Sequence, residues 1–419
     1  MKDATAIYAS QYRLAKYSRK YFLINKLKKE FTMKSLLQFN RQKLLSKRTG
    51  WLFAIVFTIA TVFTGCKKDS PPSCDDFRFA LKGKNAVAVV HNGQSIQAAI
   101  DAAVTNEVIY IEPGIYKEVL TVNKPGIQLI GSACNAYSKV IIQNPGDGEN
   151  GITVQDAGDG FTLKNITIQD FEENGIILIR VDNFTLSHVT AINDGEYGLF
   201  PVLCSNGVVE YCSATGDDDT GIYVGQSTNV VIQYCEAFAN VNGIEIENCT
   251  NVVAQKNHSY NNVAGFLIDL LPGKTVKTSS DVLITDNIIE GNNHVNFADP
   301  EGGFEAFVPS GSGVLVVGVD NVTIKNNKIT NNNFTGIATV STIILGALAG
   351  LPPEAFADIE PNAGGAKITD NIVLNNGSAP PTGLPLPGVD LLWDGSGMNN
   401  CWKTNTHNSE YPSPLPSCN

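Results

Sequence analysis

From Gly151 to Gly265 the apolar and polar positions follow one pattern, a glycine and then alternating apolar residues, which restarts at Gly151, Gly175, Gly198, Gly221, Gly243 and Gly265. The spacings are 24, 23, 23, 22 and 22. Each copy also carries a second short apolar run, as in Asn229-Val230-Val231-Ile232, Asn251-Val252-Val253 and, further on, Asn321-Val322-Thr323-Ile324. A fixed period of this size marks a solenoid, in which each repeat completes the core of its neighbour. Period-two alternation then sorts the side chains. In Gly243-Ile244-Glu245-Ile246-Glu247, Ile244 and Ile246 face the core while Glu245 and Glu247 face outward. The pattern predicts an all-β chain with three short parallel strands per coil.

Outside this run, Gln94 to Ala103 has apolar residues at helical spacing behind Ser95, a candidate N-cap, and predicts an amphipathic helix over the open end of the solenoid. Val108–Ile111, Glu112–Tyr116 and Ile127–Gly131 read as the three strands of a first coil. Two interruptions break the period. The 48 residues from Gly265 to Gly313 fit one coil with insertions near Gly273–Ser280 and Asn292–Ser312, because the strand starting at Asp281 stands 16 residues after Gly265. The second interruption runs from Gly336 to Gly388 and includes the proline-rich stretch Pro380–Pro387. Ending before repeat glycines, the insertions are expected to project from the same edge. Asn165, Asn240, Asn261, Asn287 and Asn327 fit turns, where asparagine tolerates left-handed geometry and stacked amides satisfy one another. Asn-x-Ser/Thr matches such as Asn183-Phe184-Thr185 read as the same turn chemistry rather than as glycosylation sites. Residues 85–400 are assigned to the solenoid and 401–419 to a tail covering its last coil.

Charge changes the picture at the N-terminus. The formal net charge is -11, but residues 1–65 hold 13 of the 30 Lys+Arg and 2 of the 41 Asp+Glu, leaving 17 basic against 39 acidic residues beyond them. Such a surface repels nucleic acid and anionic lipid, and favours cations or anionic substrates screened by a metal. Lys43, Lys47 and Arg48 precede the apolar run Trp51–Phe63, short for a membrane span, which closes on Phe63-Thr64-Gly65-Cys66. This stretch resembles a bacterial lipoprotein signal with its lipobox; a plain anchor helix is the other reading. The resemblance implies that 1–65 is a signal region, that 1–32 is a start-site artefact or upstream extension before Met33, and that Cys66 is the lipidated first residue of an outer-membrane lipoprotein. Residues 66–84 then form a tether, and the lipid is the sole membrane contact.

Nine cysteines do not read as a disulfide framework. Cys212 and Cys235 both fall 14 residues after their glycines and should stack as small buried side chains. Cys204 and Cys249 share a second column with Ser227 between them, and Cys401 and Cys418 are the best disulfide candidates for an exported protein.

The turns before the repeat glycines carry Glu172-Glu173, Asp194, Glu196 and Asp217-Asp218-Asp219, and the outward strand positions include Phe200, Tyr223, Glu245, Glu247 and Asp269. Coils stacked about 4.8 Å apart bring Asp217, Asp218, Asp219, Glu245, Glu247 and Asp269 into one acidic patch beside Phe200 and Tyr223. Crowded carboxylates repel unless a cation binds, and hard oxygen ligands suit Ca²⁺. Asp217, Asp218 and Asp219 are therefore metal candidates, and Phe200, Tyr223, Glu245, Glu247 and Asp269 substrate-binding candidates. The Asn292–Ser312 insertion, with His294, Asp299, Glu301 and Glu305, is expected to wall a groove suited to sugar rings and Ca²⁺-bridged uronates. The other reading is that acidic turns only keep an exported protein soluble. Arg180, one of two arginines after residue 65, joins Glu245 and Glu247 as a catalytic candidate, as β-elimination base or carboxylate clamp, against the alternative of an ion pair with Asp182 or Glu172. His188 and His258 fall on a different strand and read as surface or turn residues.

From Gly151 to about Thr339 the repeat resembles right-handed parallel β-helix proteins of the carbohydrate-binding and sugar-hydrolase type, which include mannuronan C5-epimerases, polysaccharide lyases and the copper-site maturation protein of nitrous oxide reductase. The epimerase pattern Tyr-Gly-x-Asp-Pro-His-Asp meets this chain at Tyr197-Gly198-Leu199-Phe200-Pro201-Val202-Leu203, with the Asp, His and Asp replaced by Phe200, Val202 and Leu203. The resemblance implies a right-handed parallel β-helix that binds polysaccharide, with lyase or epimerase activity open. The alternative from another class is a non-catalytic scaffold for an electron-transfer or metal-delivery partner.

Overall fold

The computed structural model describes residues 87–132, 139–155, 157–300 and 303–419. The signal region, Cys66, the tether and Glu301 lie outside the described residues. Three sheets of twelve, eleven and ten strands form a parallel β-helix, each strand pairing with its counterparts one coil before and one coil after. Helix α1 (Ile96–Ala102) closes the N-terminal end, with the Ser95 hydroxyl accepting from the Ala98 amide and Ile96 and Ile100 buried. The second strand of the expected first coil is Gly114–Tyr116, but its third is Leu120–Val122; Gln128–Gly131 pairs with Val108–Ile111 and so opens the next coil. A period-two pattern cannot tell which sheet a short strand joins.

The eleven-stranded sheet contains β1 (Leu199–Val202), β2 (Thr220–Gly225), β3 (Asn242–Glu247), β4 (Ala264–Asp269), β5 (Ser312–Val317) and β6 (Thr335–Val340). Phe266 on β4 pairs directly with Val314 on β5, so the 48-residue interval is a single coil with insertions. At the second interruption Ile337 pairs with Leu391, which sets Asp390, not Gly388, at the repeat position. The insertions also leave from both edges of this sheet rather than one. Residues 270–279 follow β4 and 341–366 follow β6, while 291–311 precede β5. The tail is part of the stack: Cys401–Lys403 pairs with Lys367–Thr369, and Glu410–Tyr411 with the strand after Asp390. A disulfide joins Cys401 to Cys418.

The repeat glycines and the turn asparagines are one device. Asn240 Oδ1 accepts the Asp217 amide at 3.0 Å, Asn262 Oδ1 the Asn240 amide at 3.0 Å, and Asn292 Oδ1 the Asn262 amide at 3.2 Å. The ladder continues through Asn332 and Asn376 and ends on Asp390, whose other oxygen accepts the Asn408 and Ser409 amides. Each ladder amide lies against the repeat glycine of the coil before it. A Cβ on Gly221 would stand 2.5 Å from Asn240 Nδ2, and one on Gly243 2.8 Å from Asn262 Nδ2. A second column runs from the stacked, buried Cys212 and Cys235 into Asn257, Asn287, Asn327, Asn371 and Asn405. Cys204, Ser227 and Cys249 form a third. Asn165 and Asn261 instead take the left-handed backbone, at φ 55° each.

Gly221→Ala should cost about 1–3 kcal/mol by overpacking, and Asn240→Ala about 1–3 kcal/mol by leaving a buried amide unpaired. Since the clash needs the amide, chemical denaturation of the double variant should show less than the sum of the two losses.

Candidate acidic site on the eleven-stranded sheet

Register builds the site one coil at a time. Tyr223 pairs with Glu245 and Glu245 with Leu267; two residues on, Gly225 pairs with Glu247 and Glu247 with Asp269. Alternation turns all of these away from the core, as the sequence pattern requires. The face they point to is nevertheless covered. Every residue of β2 to β6 is buried, and over β4 to β6 a second apolar cluster including Leu267, Leu315, Val317, Val308 and Phe334 packs the insertions onto the outside of the sheet. The expected open groove of carboxylates is thus an enclosed one, with Tyr223 3%, Glu245 6%, Glu247 3% and Asp269 1% exposed. Its open end lies toward earlier coils, where the outward residues Thr153, Ile177 and Phe200 are half-buried.

Glu245, Glu247 and Asp269 each bring a carboxylate oxygen within 4.8 Å of the others. Glu247 is well partnered: the Tyr223 hydroxyl donates to it at 2.8 Å and the Lys274 ammonium, from the 270–279 insertion, lies 2.9 Å away. Glu245 accepts from the Thr220 hydroxyl at 2.5 Å and from Asn242 Nδ2 at 3.2 Å. Asp269 finds no donor beyond its own backbone amide for either oxygen. Burial, and then Glu247, push the Asp269 carboxyl well above the usual range, with Lys274 pulling the other way. Burial and the neighbouring Asp269 and Asp219 do the same to Glu245. Lys274 is pushed down by burial but raised overall by Glu247 and Asp269. One ammonium among several carboxylates leaves an excess of negative charge that protons or a further cation must neutralise. Carboxyl groups held protonated near neutral pH can act as general acids, and a tyrosine bonded to a carboxylate can pass a proton.

Other candidates fall elsewhere. Asp217 is a rung of the turn ladder, donating its amide to Asn240 and accepting from that of Asp194, and Asp218 is exposed. Neither joins the carboxylate cluster: Asp217 turns its side chain into the ladder, and Asp218 turns to solvent. Asp219 does reach its edge, where it accepts from Thr220 at 3.1 Å and from Tyr197, and burial lifts it to about 8. The three aspartates therefore do not act as one metal-binding unit. Arg180 is an exposed turn residue at φ 54°, three coils from Glu247 by register, and does not join the cluster. His188 stacks on Tyr211, and His258 lies 3.2 Å from Glu290, both away from the site. In the 291–311 insertion His294 and Asp299 are exposed, whereas Glu305 is half-buried and its carboxyl is raised by burial. Phe200 packs on Tyr223 at 4.7 Å and on Tyr197 at 4.4 Å. Lys274, Thr220 and Asn242 belong to the site without any place in the motifs read from sequence. Tyr197, Thr220 and Asn242 share the one available signal, a place immediately before a repeat glycine.

The family model described as the right handed beta helix region matches residues 150–277, and the chain is a right-handed parallel β-helix. No curated protein sequence matches it. Similar solved structures include the A-module of a mannuronan C-5 epimerase from Azotobacter vinelandii, at 19% identity and TM-score 0.45, covering 68% of this chain and 72% of that one. An alginate lyase from Paenibacillus sp. str. FPU-7 shows 14% identity and TM-score 0.47, covering 75% and 100%. A DFA-IIIase from Arthrobacter chlorophenolicus A6, without its lid, shows 14% identity and TM-score 0.48, covering 76% and 94%. At these identities the likeness is one of chain winding.

Because the Asp269 carboxyl is raised in the folded state, its ionisation opposes folding above the ordinary carboxylate range, and the cost grows with pH. In chelator, Asp269→Asn should melt higher than the wild type at pH 7, with the two curves converging near about pH 4.

Proposed function

We propose that this protein is an envelope-anchored lipoprotein, tethered through Cys66, whose eleven-stranded sheet binds a polysaccharide along its outer face. The polysaccharide contains uronate, and Ca²⁺ at Glu245, Glu247 and Asp269 bridges it to the site. The observation that carries this reading is Asp269, buried between two glutamates with both side-chain oxygens unsatisfied by any other residue. The donor set is all hard oxygen, as Ca²⁺ requires, and Lys274 leaves charge in the cluster still to be neutralised. A bound cation would supply charge neutralisation for a substrate carboxylate. The half-buried row Thr153, Ile177 and Phe200 gives a chain of sugars a path toward the cluster, with Phe200 and Tyr197 as apolar faces at its threshold. In a lyase or epimerase reading, Tyr223 and Glu247 hold and move the proton, and Lys274 orients Glu247.

A second reading, a non-catalytic scaffold for a partner protein in metal delivery or electron transfer, is favoured by the burial of the cluster under the insertions. Calorimetry and a glycan array separate the two. Ca²⁺ should bind the wild type and raise its melting temperature as mass action dictates, with both effects lost in Asp269→Asn, and chelator should abolish retention of uronate glycans. A catalyst should lose turnover in Glu247→Gln and Tyr223→Phe. Chelator-insensitive glycan retention would remove the cation from this proposal, and absence of turnover on any retained glycan would leave the scaffold.

A further inference from the structure

The asparagine ladder holds two members that are not asparagine. Asp194 Oδ1 accepts the Phe171 amide at 3.0 Å, and Asp217 Oδ1 accepts the Asp194 amide at 3.0 Å, which is the bond Asn240 and Asn262 make in the next two coils. The remaining oxygens occupy the place of the asparagine nitrogens. A Cβ on Gly175 would meet Asp194 Oδ2 at 2.5 Å and one on Gly198 would meet Asp217 Oδ2 at 2.6 Å, as one on Gly221 would meet Asn240 Nδ2 at 2.5 Å. That nitrogen donates: Asn240 Nδ2 bonds the Ala214 carbonyl at 3.2 Å and Asn262 Nδ2 the Ala237 carbonyl at 3.1 Å. In the register of the ten-stranded sheet the same carbonyls for Asp217 and Asp194 are those of Ala191 and Ile168. An ionised carboxylate has no proton to offer there, and Oδ2 of both aspartates is buried without a partner. A protonated acid has the donor and the shape of the amide it replaces.

We propose that Asp194 and Asp217 are carried as neutral carboxylic acids that stand in for asparagine, and that losing these protons is an alkaline release for the turn leading into the site. The link to the site is short. Asp217 is two residues from Asp219 and three from Thr220, and Thr220 holds Glu245. The charged groups facing Asp194 are Asp217 and Asp170, and those facing Asp217 are Asp194 and Asp218. All are acidic, so none favours ionisation. Burial, reinforced by Asp217, raises Asp194 to about 9, and burial raises Asp217 in the same direction. The unfolded chain releases these protons near the ordinary carboxylate value while the folded chain keeps them. Stability is therefore full below about pH 4 and drains as pH rises through the folded value of Asp194.

The test is thermal unfolding of the full chain from pH 5 to 9.5 for the wild type, Asp194→Asn, Asp217→Asn and the double variant. Asparagine already fills this place in the coils of Asn240, Asn262, Asn292, Asn332 and Asn376, so the variants should fold. The wild-type melting temperature should fall as pH rises, while the double variant should fall less steeply and melt higher at pH 8, with the gap narrowing toward the acid end of the range. The infrared band of a buried neutral carboxylic acid should weaken in each variant. Near-ultraviolet dichroism from Tyr197, Phe200 and Tyr223 should fade in the wild type at alkaline pH and persist in the double variant. Parallel pH slopes, or variants less stable than the wild type throughout, would show ionised aspartates and overturn the proposal. An unchanged infrared band would do the same, and dichroism fading at one pH in both proteins would remove the coupling to the site.

Discussion

Everything in this molecule hangs on the bond from a turn side chain to the backbone amide of the coil before it. A solenoid turn leaves an amide that strand pairing does not use, and burying it unpaired would cost on the order of 1–3 kcal/mol per coil. Asn240, Asn262, Asn292, Asn332 and Asn376 remove that cost, with Asp194 and Asp217 below them and Asp390 closing the series. The ladder also explains the glycines. The ladder group packs so closely over the strand start that a Cβ there would overlap it. Left-handed geometry is not the reason for these glycines; close approach is.

The site is a consequence of that repetition. Once coils are held in register, residues 22 or 23 apart in sequence become neighbours, and Tyr223, Glu245 and Leu267 must share a column just as Gly225, Glu247 and Asp269 do. Repetition by itself would give an open face. The insertions change its physics by covering the outer face, with a second apolar cluster over β4 to β6 and Lys274 against Glu247 on β3, and a carboxylate that would be ordinary in water becomes one that holds its proton. The 270–279 insertion brings Lys274 onto Glu247, its loop fixed by Asn248 Nδ2, which donates to the Leu271 and Val276 carbonyls, and by Gln226 Oε1, which accepts the Thr275 and Val276 amides. Cover and counter-charge thus come from the same irregular segments.

Two features of sequence had one appearance and two physical meanings. Asp217 and Asp219 stand in the same acidic run, yet one is a buried rung that accepts the Asp194 amide and the other touches the site edge beside Thr220. Gly388 looked like a repeat glycine and is not one; Asp390 takes the position, where its carboxylate finishes the ladder. Reading residue type alone cannot separate these cases, whereas register does so at once.

By itself, the sequence determined the coil: its period, the inward and outward sides of each strand, the capping helix behind Ser95, the cysteine columns and the Cys401–Cys418 bond. These follow from local spacing, which a repeating backbone converts directly into geometry. The tertiary structure decided what the outward face became. Insertions without periodicity carry no local signal of where they pack, so the burial of Glu245, Glu247 and Asp269, the placement of Lys274 and the unsatisfied oxygens of Asp269 exist only once segments far apart in the chain lie over the same sheet.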